Sequence, residues 1–190
     1  MSQARPIRLS ADNTQITFAV RWMGVLTVRG GFRQMSGELR IPDGDLESSG
    51  IELDVRAASV HTGIALRDRH LRGPDFLDSE KFPVIGFTSK RVERVNGAIT
   101  ISGQLLLRGA EREVIARCPL GYAHGEGLGS TIALASEIHV PRIPHHVGTA
   151  EGIKKLNPLL YAIADDVTVS VRILAPANRL LPALLPALGR

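Results

Sequence analysis

Apolar and polar residues alternate with a period of two along most of this chain. That spacing belongs to strands with one buried face. From Gln15 to Trp22, the residues Ile16, Phe18, Val20 and Trp22 share one side, and Thr17, Ala19 and Arg21 take the other. Gly24 and the Gly30-Gly31 pair bracket Val25 to Val28, where the glycines mark a turn, a bulge or a sharp bend. Phe32 to Ile41 reads as a further strand, stopped by Pro42-Asp43-Gly44-Asp45. Ile51 to Val55 alternates again. Ile85 and Phe87 begin a strand that runs through Arg91 to Val95.

Asn96-Gly97 is a strong hairpin signal, because both central positions of a type I′ turn need positive φ. Beyond it, Ile99, Ile101, Gly103, Leu105 and Leu107 line one face. Arg108-Gly109-Ala110-Glu111 turns the chain, and Arg112 to Pro119 returns. Ile132, Leu134, Ser136, Ile138 and Val140 make the face of a later strand. Val167, Val169, Val171 and Ile173 make that of the last, with Asp165-Asp166 before it reading as a turn. The single helical candidate is Ala65 to Leu71, inserted between strands.

Roughly eight strands joined by hairpins, with no strand–helix–strand rhythm, predict an all-β fold: an eight-stranded antiparallel barrel with one short helical insertion. The expected organisation is an N-terminal extension over 1–13, the barrel domain over 14–174, and a Pro/Leu-rich tail over 175–190. Pro176, Pro182 and Pro186 exclude a long regular helix from that tail. A loose extension, a strap packed on the barrel and a partner or membrane-surface contact all stay open for it.

Composition narrows the function. The chain has 190 residues, 44% hydrophobic and 22% charged, and suits one domain with a real core. Its net charge of +4 is dispersed: Arg108, Glu111, Arg112, Glu113 and Arg117 mix signs within one segment. Nucleic-acid binding needs basic residues gathered on one face, so no nucleic-acid partner is expected. Cys118 is the one cysteine and sits beside Val114, Ile115 and Ala116, which points to a buried, inert thiol. No intrachain disulfide can form, and residues 1–15 lack the apolar centre of a secretion signal, so a cytoplasmic location is expected. No run of about 18 apolar residues is present, and no transmembrane helix is expected.

Catalytic patterns are weak. The histidines are His61, His70, His124, His139, His145 and His146, without HExxH, His-x-His or CxxC spacing. A His-based metal site or metal-dependent enzyme is the rival reading, and the adjacent pair His145-His146 is where it would be tested. Ser102 lacks the glycines of a nucleophile elbow, with Thr100 and Gln104 in their places. No catalytic residue, cofactor or metal is assigned. An interaction module working through the tail is the third reading.

A barrel of eight strands can be filled by side chains or can hold one small ligand. The faces expected to point inward are mainly Val, Ile and Leu, and aromatic residues make up only 4% of the chain. Few bulky plugs are available. A ligand for such a lining is apolar and elongated, such as an isoprenoid or acyl chain, with its polar head at the mouth. The expected contacts are Phe18, Val20, Trp22, Leu53, Val55, Ile85, Phe87, Leu105, Leu107, Ile132 and Leu134. A one-residue slip on any strand would turn its set to the other side.

The stretch SVHTGIALRDRHLRGPDFLDSEKFPVIGFTSKRV resembles the YceI-like family of polyisoprenoid-binding proteins. The matching elements, in the family's order, begin with Ser59, Val60, Thr62 and Gly63, followed by Arg67, Asp68, His70 and Leu71. Asp75, Phe76, Leu77 and Asp78 come next, then Phe82, Pro83, Ile85, Phe87 and Ser89. FAVRWMGVLTVRGGF and GQLLLRGAEREV are similar to family segments as well, so the resemblance covers about residues 14 to 174. It implies a lipocalin-like barrel around a long isoprenoid or similar amphiphile, such as an isoprenoid quinone, bound, stored or transported without catalysis.

Asp68 is placed to cap or pin the short helix. Phe76, Phe82 and Phe87 are placed to anchor the insertion. Two departures fall at the mouth. Trp22 stands where the family often has His, and SEIHVPRIPHHVGT replaces an Arg-x-Asp-(Phe/Trp)-Gly turn. A transient membrane-surface contact and a homodimer formed through an edge strand are left open.

Overall fold

Residues 7–40 make one long hairpin that bends in the middle. In the computed structural model, which describes residues 5–42, 45–119, 131–149 and 163–184, its arms are four strand segments. These are β1 (Ile7–Ser10), β2 (Thr14–Trp22), β3 (Leu26–Phe32) and β4 (Met35–Arg40). β1 pairs with β4 through Ile7↔Leu39, and β2 pairs with β3 through Ile16↔Phe32. Asn13 sets the bend on the first arm. Its Oδ1 accepts the Ser10 N–H at 2.9 Å and its Nδ2 donates to the Arg8 carbonyl at 2.8 Å.

The rest of the sheet is β5 (Gly50–Arg56), β6 (Val60–His61), β7 (Val84–Val95), β8 (Ala98–Leu107), β9 (Ala110–Pro119), β10 (Thr131–Pro141) and β11 (Ile163–Pro176). Every ladder is antiparallel. From β4 the pairing passes through β5, β7, β8, β9, β10 and β11 to β2. β2 pairs with β3, and β3 continues into β4, so the sheet curls back onto its own first hairpin. The weakest joint is β9–β10, bridged at Glu137↔Arg117, whereas β10–β11 pairs from Thr131 to Pro141.

The all-β expectation holds, with eleven strand segments among the described residues in place of eight. The bend splits each arm of the first hairpin, and β6 adds a short rung on β3. The sheet also begins before residue 14, at β1. Gly30 and Gly31 lie inside β3, not in a turn, and the chain bends just after them. Asp165 and Asp166 lie inside β11, at the register shift between Ile163 and Val167, and not in a turn before it. At the β7–β8 hairpin, Asn96 and Gly97 take φ of 50° and 73°, as the dipeptide predicts.

The helical insertion is α1 (Ala65–Arg72). A second helix, α2 (Ala177–Leu184), occupies the start of the tail with Pro182 inside it. Its Leu180, Ala183 and Leu184 are spaced i, i+3, i+4 and form one buried face, which is enough to hold a short helix against the barrel. These three residues belong to one core cluster with Leu39, Ile41, Val92, Ile99, Cys118, Ile132 and Ile173 at the end of the barrel nearest α2. Among the described residues, no helix is long and apolar enough to cross a membrane.

Candidate functional site: an apolar cavity in the barrel

The barrel is hollow between α1 and α2. A cavity of about 550 Å³ runs along its inner wall, within the size range of small-molecule sites. All the strand-face residues expected to contact a ligand line it, except Ile132. Ile132 is buried in the core cluster that also holds Leu180, Ala183 and Leu184 of α2. Alternation assigns its side correctly but carries no information on depth along the barrel.

Other lining residues were missed. Val167, Val169 and Val171 on β11 complete the wall. Their alternation is as clear as that of the chosen strands. Leu180, Ala183 and Leu184 close the floor, while Arg67, His70, Leu71, Phe76, Leu77, Arg142 and Val147 close the other end. No periodicity could place these, because they come from helices and loops that meet only in the fold. The polar side chains reaching the cavity are few: Ser49 and Ser136, and at the α1 end Arg67, His70 and Arg142, besides the indole of Trp22.

The α1 end is rigidly built. Asp68 Oδ1 accepts the Thr62 backbone N–H at 2.8 Å and its hydroxyl at 2.5 Å. The Thr62 hydroxyl then accepts from Arg67 Nε at 2.7 Å. Asp68 therefore pins the turn into α1. The N-cap position is Ile64, which carries no side-chain cap. The Thr62 hydroxyl above all holds the Asp68 carboxyl below its usual range, helped by the Thr62 N–H, Arg72 and Arg67, and burial opposes this. Gly63 turns the chain at φ +81°.

Phe76 is buried and meets the edge of His70 at 4.9 Å between ring centres. Gly148 passes over Phe76 so closely that a Cβ there would lie 3.1 Å from Cε1, and its N–H donates to the Asp75 carbonyl at 2.8 Å. Phe82 covers Gly109 in the β8–β9 turn in the same way. Both rings anchor the insertion, as expected. Phe87 instead lines the cavity.

Arg142 stands where the sequence departs from the family turn. Nε donates to the Ala164 carbonyl at 3.0 Å, Nη2 to that of Ile163 at 2.9 Å, and Nη1 to those of Val147 at 2.9 Å and Gly148 at 3.2 Å. The guanidinium thus ties the loop after β10 to the start of β11. Burial pushes its pKa down and Asp165 opposes the shift. Three residues on, His145 is fully buried and His146 is exposed at φ 58°, so the adjacent pair does not share a site. His139 pairs with Asp166 at 2.7 Å. Among the described residues, no three His, Cys, Asp or Glu side chains stand together as a metal site. His124 lies outside the described residues, as do residues 185–190 of the tail and Asp43-Gly44 of the expected turn. Cys118 is buried, and burial pushes its thiol pKa up. Ser102 lies within β8.

A curled antiparallel sheet around an apolar cavity, closed by a helix at one end and a braced loop-and-helix cover at the other, defines a lipocalin-like barrel. The chain belongs to the YceI-like family, whose domain matches residues 8–175. The match stops short of α2.

Among curated relatives, a UPF0312 protein of Shewanella denitrificans is 32% identical over 116 residues, 60% of this chain and 59% of that one. The UPF0312 protein plu2095 of Photorhabdus laumondii is 28% identical over 121 residues, 64% and 62% of the two chains. The matched region therefore spans about three fifths of these relatives' length. BcnA of Burkholderia cenocepacia superposes with a TM-score of 0.73 at 16% identity, covering 85% of this chain and 96% of that one. A polyisoprenoid binding domain from Saccharophagus degradans superposes at 0.59 and 15% identity, covering 90% and 98%. At these identities the likeness is one of fold.

Proposed function

We propose that this protein holds a polyisoprenoid, or a similar amphiphile such as an isoprenoid quinone, inside the barrel, storing or carrying it without catalysing a reaction. The observation that carries this reading is the cavity itself. Its wall between the two ends is hydrocarbon apart from a few polar groups such as Ser49 and Ser136, and its side chains line about 550 Å³ of space. Apolar surface left facing such a space gains roughly 25 cal/mol for each Å² that a ligand covers. An elongated apolar chain suits the shape, with its polar head at the end where Arg67, His70 and Arg142 stand. Membership in the YceI-like family and the fold shared with a polyisoprenoid binding domain support the same ligand class.

The test is organic extraction and native mass spectrometry of the protein purified from its own host. A reproducible lipid at near one per chain is the expected result. A protein recovered empty, which also fails to take up prenyl alcohols or quinones, overturns the proposal. A cytoplasmic site of action belongs to the same proposal, and fractionation of host cells tests it.

A further inference from the structure

The two most exposed large apolar side chains, Val25 and Leu66, stand with three others at the α1 end of the barrel, whereas Ile115, 58% exposed, stands apart on β9. Val25 is 83% exposed and Leu66 74%, and Met23, Leu26 and Ile64 are close to half exposed. Those at the α2 end, Val95, Leu174 and Leu181, are each 37% exposed and stand apart in sequence. The first group comes from two segments, the β2–β3 turn and the start of α1. Both stand at the α1 end of the cavity, because Trp22 and Val28 flank the turn, Arg67 and Leu71 belong to α1, and all four line the cavity. β6 joins the segments by pairing with β3 at Gly31↔His61, and Thr62 then lies against Gly30.

Within the turn and α1 themselves the exposed charge is positive, while Asp165 and Asp166 stand on neighbouring β11 beside the Val20 to Trp22 end of β2, where they hold the Ile143 N–H and His139. Arg21 and Arg29 bracket the turn, both exposed, with no acidic residue between them. On α1, Arg69 is exposed, and the one acid, Asp68, is buried and turned toward Thr62. Protruding apolar side chains flanked by arginine suit a fluid, negatively charged surface, which the side chains enter while the arginines meet the headgroups.

We infer that the β2–β3 turn and the start of α1 form a docking rim that seats the mouth of the cavity on an anionic bilayer. Its purpose, exchange of lipid between bilayer and barrel, rests on the proposed function. The surface itself is tested separately. The apolar residues of the tail that the structure describes do not serve this role, since α2 turns Leu180 and Leu184 inward.

The experiment is co-sedimentation of the full chain with vesicles of phosphatidylcholine plus phosphatidylglycerol, and with vesicles of phosphatidylcholine alone. The variant is Val25→Asp/Leu26→Asp, at two exposed positions that do not line the cavity. Uptake of cis-parinaric acid without vesicles reports the cavity, and thermal unfolding reports the fold. The wild type is expected to sediment with the anionic vesicles. The variant is expected to lose at least about tenfold in partitioning while taking up parinaric acid and unfolding as before. No binding to either vesicle, or sedimentation of the variant equal to wild type, overturns the rim even if parinaric acid is bound. Vesicle binding without parinaric acid uptake upholds the rim and counts against the cavity reading. A dimer that the variant abolishes, with no vesicle binding, assigns the surface to a second copy and overturns the inference.

Discussion

One carboxylate oxygen of Asp68 holds both the backbone N–H and the hydroxyl of Thr62, six residues earlier. The contact closes the turn that leads from β6 into α1 and so holds the cover of the cavity. Asp68→Ala leaves the Thr62 N–H without its partner and should cost about 1–3 kcal/mol, read by chemical denaturation. The folded carboxyl is held below its ordinary 3.8, so its contribution is present above that value and is lost as pH falls through the lower folded value. The variant should therefore show a shallower loss of stability below pH 3.8 than the wild type.

His145 should make the fold sensitive to mild acid. The ring is fully buried and neither nitrogen makes a hydrogen bond. Burial pushes its pKa below 6.5, with smaller contributions from Arg112 and His146, although the carbonyls of Ala110 and Leu107 face it and oppose the shift. The unfolded chain takes up a proton near 6.5 that the folded chain refuses. Stability therefore falls as pH drops below that value, until the folded pKa is reached. His145→Leu should flatten this slope in thermal unfolding between about pH 7 and 5. An unchanged slope would assign it to another group.

Gly30 is needed for its missing side chain. A Cβ there would lie 2.5 Å from Phe18 Cζ, 2.7 Å from the His61 carbonyl oxygen and 2.8 Å from Thr62 Cγ2. One of these is backbone and cannot swing aside. Gly30→Ala should lower stability by about 1–3 kcal/mol and displace Phe18 from the cavity wall, with weaker uptake of prenyl alcohols. Adding Phe18→Ala should not restore stability, because the contact with His61 remains.

α2 should set the length of chain that the barrel accepts. Leu180, Ala183 and Leu184 form the floor and lie beyond the family match, which ends at residue 175. Leu180→Ala should cost about 2–5 kcal/mol, as buried leucines do. A chain ending at Pro176 should melt lower and shift its preference toward longer prenyl alcohols in a competition series. Equal preference in the two proteins would show that the floor lies elsewhere.

Alternation by itself determined which residues face inward, because the period of two is a property of the strand and needs no partner. It was sufficient for the wall from Phe18 to Leu134, and local sequence was sufficient for the Asn96-Gly97 turn, whose φ values are local, and for the buried thiol of Cys118. Tertiary structure decided what depends on distance between walls. Ile132 alternates like Leu134, yet it is buried in the core cluster with the residues of α2 and does not line the cavity. Asp165 and Asp166 carry a turn-like signal, but the ladder to β10 holds them in a strand. The cover of the cavity joins the insertion that holds Asp68 and Phe76 to Arg142, more than sixty residues later, and the spacing records no trace of that meeting. Volume, closure and depth arise from packing between elements, where a local pattern has no reach.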